Sequence, residues 1–433
     1  MSVDILLKGG ILPDGRTTDI AIANGRIAAI EPSIDAEAGE VVDISGDLVS
    51  PPFIDPHFHM DATLSYGHPR INASGTLLEG IALWGELKAQ QTEEEIAERA
   101  LRYCDWAVSM GLLAIRSHVD TSDDDAMKGV RALLAVRETV RPYLDLQLVA
   151  FPQDGFYRAP KAKENTLAAL DMGVDVVGGI PHFERTMADG RASVTELCEI
   201  AAERGLMVDM HCDETDDPMS RHIEQLAYET QRLGLQGRVT GSHLTSMHSM
   251  DNYYVSKLLP LIAEAEVAAI PNPLINITLQ GRHDTYPKRR GLTRVPEMLG
   301  HGIRVAWGQD CVLDPWYSLG TADMLDVAFM GLHVAQMTSP GDMRRCFDMV
   351  TSESAAIMGL DDLGLEKGRR ASLVVLDAGD PIEAIRLRPD RLLVISNGRI
   401  VARRKRGGTT LALPGRPASV SRRHTVEGRS NVA

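Results

Sequence analysis

Aromatic residues make up only 5% of this 433-residue chain, and cysteine appears five times, at Cys104, Cys198, Cys212, Cys311 and Cys346. An odd, scattered set of that kind in a long chain argues against a disulfide framework and for reduced thiols in a cytoplasm. Positive charge is also short. Lys and Arg number 45 against 60 Asp and Glu, leaving a formal −15 at pH 7. A surface so acidic repels polyanions, so neither nucleic acid nor an anionic membrane is expected as a partner. No apolar run reaches membrane-spanning length. The opening Met-Ser-Val-Asp-Ile-Leu-Leu-Lys carries an acid where a secretory signal would be basic. The expectation is a cytoplasmic protein that acts on a small molecule. The basic run Lys288-Arg289-Arg290 then reads as a solvated loop or as a subunit contact in a homo-oligomer.

What is present is an ordinary globular composition, 44% hydrophobic and 24% charged. The length exceeds what one core usually serves, which predicts a large domain and a smaller one. The two ends resemble each other. Asp19 to Ala23 runs into Asn24-Gly25-Arg26-Ile27, and Leu392 to Ser396 runs into Asn397-Gly398-Arg399-Ile400. Asn-Gly between short apolar runs signals a two-residue hairpin. With Ala371 to Leu376, these hairpins predict a small β-sandwich domain formed by both termini, over residues 1–51 and 368–410. Residues 411–433, rich in Pro, Ser, Arg and Gly, read as a tail.

Between the ends, over residues 52–367, short apolar runs alternate with helical stretches. The runs are Leu48–Ile54, Leu112–Ile115, Leu146–Phe151, Val174–Ile180, Leu206–Met210, Arg238–Gly241, Val267–Ile270 and Ile303–Trp307. Thr92-Glu93-Glu94-Glu95 is a capping box opening a helix to Met110, and Ser122 followed by three acids reads as the cap of a helix to about Val140. Eight strand–helix units predict an α/β fold, a (β/α)₈ TIM-like barrel, and the span from Pro52 to Asp310 suits the ~250 residues typical of it. A doubly wound sheet is the competitor, but no Gly-x-Gly-x-x-Gly follows the first run.

Polar residues collect just past the C-terminal ends of these runs, the face where barrel enzymes carry their sites. They are His57 and His59, His118, Gln153, His182, His211 with Glu214, His243, Asn272 and Asp310, and they include six of the thirteen histidines. His57 and His59, two apart on a strand, point the same way and can grip one ion. His211 and Asp310 end two other strands. Three imidazoles and a carboxylate suit one Zn²⁺ or Fe²⁺ with a position left for water. Glu214 then stands beside the ion as a proton carrier. His118 and His182 read as supporting hydrogen-bond partners rather than ligands. Phe151 and Trp316 read as pocket wall or core, and Cys212 as packing.

Several stretches carry a resemblance to a family: Pro-Pro-Phe-Ile-Asp-Pro-His-Phe-His-Met-Asp (51–61), Ile-Pro-His-Phe-Glu (180–184), His-Cys-Asp-Glu (211–214), Leu-Gln-Gly-Arg-His-Asp-Thr-Tyr-Pro (279–287) and Asp-Pro-Trp-Tyr-Ser-Leu-Gly-Thr (314–321). The chain resembles cytosine deaminases of the amidohydrolase superfamily from about Leu48 to Leu363. The resemblance implies His57, His59, His211 and Asp310 as ligands of one divalent metal and Glu214 as the proton shuttle. It further implies that His243 contacts the attacking oxygen and that Gln153 reads the amide edge of a pyrimidine base. Binuclear relatives carry a bridging lysine after the fourth strand, where this chain has Val176-Val177-Gly178-Gly179-Ile180-Pro181-His182. The expected reaction is hydrolytic deamination of cytosine or 5-methylcytosine. The alternatives are another aminated ring, of isocytosine or triazine type, hydrolysis of a cyclic ureide, or metal binding without catalysis. One departure from the family is Cys311, where many cytosine deaminases have a second acid toward C5 of the ring. It predicts tolerance of 5-substituted cytosines.

Overall fold

The computed structural model describes residues 2–407, 409–420 and 423. By contact the chain divides into two units, Met1–Pro52 with Asp362–Ala433, and Phe53–Asp361. The first unit opens with β1 (Ser2–Ile11), β2 (Thr17–Ala23), β3 (Arg26–Glu31), β4 (Glu37–Asp43) and β5 (Leu48–Ser50). Asn24-Gly25 forms the expected β2–β3 turn, with φ of 52° and 75°. The run predicted from Leu48 to Ile54 is two strands rather than one. Pro51-Pro52 has no amide donor to continue a ladder, so β5 stays in the terminal sheet and the chain resumes as β6 in another.

The second unit is a barrel of parallel strands in sequence order: β6 (Phe53–Phe58), β7 (Leu112–Asp120), β8 (Asp145–Phe151), β9 (Val176–Gly179), β10 (Met207–Cys212), β11 (Val239–His243) and β12 (Ala268–Ile270). Helices α1 (Leu77–Gln90) and α2 (Glu93–Ser109) follow β6. Then α3 (Met127–Val140), α4 (Ala162–Asp171), α5 (Met187–Arg204), α6 (His222–Leu233) and α7 (Asn252–Glu264) follow successive strands. Strands covered by helices are buried on both faces, and β6, β7 and β11 are buried at every position. The Thr92–Glu95 capping box opens α2 as predicted. Ser122 does not cap α3, which starts at Met127 after Ala126 with no side-chain cap. The Ser122 hydroxyl instead accepts the Asp154 amide at 2.7 Å, and its own amide donates to Asp120.

The eighth run, Ile303–Trp307, is not a regular strand. Isolated bridges at Ala269–Val305 and Phe58–Asp310 close the barrel between β12 and β6. Ala306 N–H donates to the Ala269 carbonyl, Gly308 N–H to Pro271 and Asp310 N–H to His57, at 3.1, 3.2 and 2.8 Å. A continuous ladder fails because Asp310 is left-handed, at φ 71°, and because Gly308 presses on its neighbours. A Cβ there would stand 2.1 Å from Asn272 Oδ1 and 2.8 Å from His57 Cβ.

The chain then returns to the terminal sheet as β13 (Leu373–Leu376), β14 (Arg391–Ser396) and β15 (Arg399–Arg403). The order is β15-β14-β13-β5-β1-β2-β3, with β4 parallel to β1. Ile5, Leu7, Ile20, Ile22, Val49, Leu373, Val375 and Ile395 form its main apolar core, and Val3, Leu6, Ala21 and Ile34 form a second cluster. Beyond β15, Thr409–Thr410 pairs with Ser419–Val420. Of the expected tail, positions other than 411–420 and 423 lie outside the described residues. Among the described residues no helix is long and apolar enough to cross a membrane.

Candidate metal centre and pocket

The strand ends of the barrel converge. His57 is on β6, His59 just beyond it, His118 on β7, His211 on β10, His243 at the end of β11, and Asp310 at the last closing bridge. All six are buried. Pro56 and the irregular β6–β7 register, which slips between Asp55 and Phe58, turn His57 and His59 so that their rings lie edge to face, 5.6 Å apart. Asp310 Oδ1 lies 3.5 Å from His57 Nε2 and 3.3 Å from His59 Nε2, and the Nε2 atoms of His59 and His211 are 2.9 Å apart. Left-handed backbone recurs where these strands stop, at Asp213, His243, Leu244 and Asp310, with φ of 54°, 69°, 52° and 71°. Strain of this sort collects at functional sites.

The donor set fits a cation. Both ring nitrogens of His57 and Nδ1 of His211 have no hydrogen-bond partner among the described residues, a costly state for buried polar atoms. Two imidazole nitrogens 2.9 Å apart repel unless one is protonated or both face a cation. Two four-residue groups have ligand atoms within 4.8 Å of one another: His57, His59, His118 and His211, and His57, His211, His243 and Asp310. His118, read from sequence as a supporting residue, therefore stands inside the cluster. Its Nε2 is 3.5 Å from Asp209 Oδ1. Asp209 also takes bonds from Arg116 Nη1 and Ser242 Oγ, at 3.0 and 2.7 Å.

The pocket against this cluster is lined by His59, Leu77, Gln153, His211, Glu214, His243, Ile275, Leu279, Asp310, Cys311 and Trp316. Gln153, Glu214, Cys311 and Trp316 therefore line one pocket. Phe151 does not line it. Instead it stacks on His211, centroids 4.0 Å apart and planes 18° apart. Burial, then the Asp310 charge, pushes the Glu214 carboxyl well above its usual range. Burial, reinforced by His57 and His118, pushes His211 far down. The Asp310 carboxyl falls well below its usual range: burial opposes this, but His243, His57 and His59 outweigh it.

Sequence reasoning missed the groups that orient His243. Asn276 Nδ2, on the short helix α8 (Pro273–Leu279), lies 2.9 Å from His243 Nδ1, and His243 Nε2 lies 3.8 Å from Asp310 Oδ2. Only the stretch Asn-Pro-Leu-Ile-Asn, with asparagines at 272 and 276, hinted at it. Also missed was Lys88, nearly buried between Asp120, Asp123 and Asp154 at 3.0, 2.8 and 2.8 Å. It ties α1 to the loop that follows Gln153. The basic run at 288–290 closes onto its own surroundings: Lys288 donates to the Gly281 and Asp284 carbonyls, Arg289 pairs with Asp284 and Arg290 donates to the Val334 carbonyl.

The amidohydrolase family profile matches residues 40–402. A crystal structure of 5-methylcytosine deaminase from Klebsiella pneumoniae liganded with 5-fluorocytosine is 40% identical, with a TM-score of 0.90, covering 93% of this chain and 98% of its own. N-isopropylammelide isopropylaminohydrolase from Burkholderia multivorans is 28% identical with a TM-score of 0.82, covering 93% and 98%. N-isopropylammelide isopropyl amidohydrolase from Pseudomonas sp. strain ADP is 29% identical over 408 residues, covering 92% of this chain and 97% of its own.

Proposed function

The chain belongs to the amidohydrolase family, and from that premise we propose that it is a hydrolytic deaminase of free pyrimidine bases, converting cytosine and 5-methylcytosine to uracil and thymine with release of ammonia. The observation that carries this reading is the presence of Gln153, Glu214 and Cys311 in one pocket against the histidine–aspartate cluster. The 40% identity to a 5-methylcytosine deaminase supports it.

In this reading His57, His59, His211 and Asp310 hold one divalent ion, zinc or iron. When bound, such an ion supplies the acidity that makes water nucleophilic near neutral pH. Gln153 both donates and accepts, matching O2 and N1–H of the ring. Burial and the neighbouring Asp310 charge favour the protonated form of Glu214. Glu214 protonates N3 and makes C4 electrophilic. Water adds at C4, giving one proton back to Glu214, which hands it to the exocyclic amine. The C4–N bond breaks, ammonia leaves, and the hydroxyl proton of the adduct returns to Glu214 as the carbonyl forms. His243 and Asp310 hold the attacking oxygen in line.

A second reading, an aminated triazine as substrate, is favoured by the 28–29% relatives named for N-isopropylammelide. The test is a panel of cytosine, 5-methylcytosine, isocytosine, an aminotriazine and a cyclic ureide, assayed in parallel for ammonia and for ring-opened product. The proposal expects ammonia and an intact ring, with the highest kcat/KM on the cytosines. Turnover confined to the triazine, or a ring-opened product, would contradict it.

A further inference from the structure

Glu214 follows a residue whose backbone is left-handed, Asp213 at φ 54°. Asp is among the non-glycine residues that adopt this conformation most readily, through hydrogen bonds of its short side chain. The Asp213 side chain turns away from the pocket and is fully satisfied elsewhere. Oδ1 accepts from Ser220 Oγ at 2.7 Å, from the His222 amide at 3.0 Å and from His222 Nδ1 at 2.7 Å, and Oδ2 accepts from the Ile223 amide at 2.9 Å. The two amides are the first of α6, whose own N-cap residue, Arg221, gives no side-chain cap. Asp213, from the preceding strand end, thus caps that helix from outside it. The Asp213 carbonyl is held as well, by the Ser246 amide at 3.0 Å and by Thr245 Oγ1 at 3.3 Å. The Glu214 amide donates to His182 Nδ1 at 3.4 Å.

The Ser220, His222 and Asp213 grouping is not a nucleophilic triad. Ser220 bonds to the carboxylate directly, and the one His222 nitrogen within reach of it, Nδ1, is already on that carboxylate. We infer that Asp213 is a positioning residue: by anchoring to the start of α6 with Ser220 and His222, it holds the left-handed turn that aims Glu214 into the pocket. The inference rests on Glu214 carrying the proton in the proposed deamination.

The experiment uses the metal-loaded enzyme and reads kcat, KM for cytosine and 5-methylcytosine, and metal per chain. The variants are Asp213→Ala, Asp213→Asn and His222→Phe. Asp213→Ala removes the anchor, and displacing a catalytic group by about 1 Å costs on the order of 10²-fold, so kcat should fall roughly 10- to 100-fold. KM and metal content should stay near wild type. Asp213→Asn keeps an acceptor and tolerates positive φ, so it should recover most of the loss. His222→Phe keeps a ring but removes a donor, and should lower kcat less than Asp213→Ala does. It decides the matter should Asp213→Ala not fold. In a Glu214→Gln background, Asp213→Ala should add no further loss, because the group it aims is already gone. Wild-type kcat in the Asp213 and His222 variants, alongside an inactive Glu214→Gln, overturns the inference alone. So does a loss of kcat that tracks loss of metal with no recovery in the asparagine variant. A fully active Glu214→Gln overturns the functional reading beneath it.

Discussion

Cys311 is 2% exposed, with its Sγ 3.6 Å from Asp310 Oδ1. Burial, then the Asp310 charge, pushes its thiol far up, so it stays neutral and behaves as a small apolar group. A neutral thiol in the pocket wall avoids the cost of desolvating a carboxylate against a ring methyl, while burial of one methyl contributes only ~0.8 kcal/mol. The expected outcome is kcat/KM for 5-methylcytosine equal to or above that for cytosine. Cys311→Asp should reverse that ratio, and an unchanged ratio would remove Cys311 from specificity. Glu214→Gln keeps shape but loses the exchangeable proton. Turnover should drop by roughly 10²- to 10⁴-fold with metal content unchanged, measured by ammonia release and elemental analysis. At this scale His57, His59, Gln153, His211, Glu214 and Asp310, singled out in the sequence at or just past the ends of apolar runs, come together in the barrel. Asn276, Lys88 and the partners of Asp213 were not legible. Their bonds cross 33, 32 to 66, and 7 to 10 positions respectively, and only the fold brings them together.

Helix α1 reaches the pocket through Leu77 and through Trp316, which packs on it. A Cβ at Gly80 would stand 2.3 Å from Trp316 Cδ1, so the indole lies directly against the helix backbone. Gly80→Ala should displace Trp316 from the wall, raising KM several-fold and costing about 1–3 kcal/mol of stability. Steady-state kinetics and denaturant melts check both effects, and unchanged KM would show that Trp316 does not shape the site. Elements set by local chemistry were readable in advance, as with the Thr92–Glu95 box. Elements set by distant partners were misjudged. Ser122 turned from helix cap to a bond with the loop carrying Asp154. The eighth run lost its ladder to the crowding at Gly308 and the left-handed Asp310. The split at Pro51-Pro52 carries a local signal, yet which sheet each half joins is decided by long-range pairing.

Over the whole molecule, alternation of apolar runs with helices was enough to indicate a barrel, and the paired Asn-Gly turns indicated a sheet drawn from both ends. The proposed metal centre takes residues from strands β6 and β10 and from the closing segment, so it can exist only once the barrel is formed. Metal removal should therefore abolish turnover reversibly, with one ion per chain restored on reloading. His211→Ala should lose both metal and activity, and wild-type metal content in that variant would refute the assignment. The central claim is that water replaces an exocyclic amine on an intact pyrimidine ring. Its most direct test is turnover of 5-methylcytosine in H₂¹⁸O by the metal-loaded protein, with mass analysis of the product and assay of ammonia. The account predicts thymine with a single ¹⁸O at C4 and one ammonia per thymine; a ring-opened product, or thymine without the label, would contradict it.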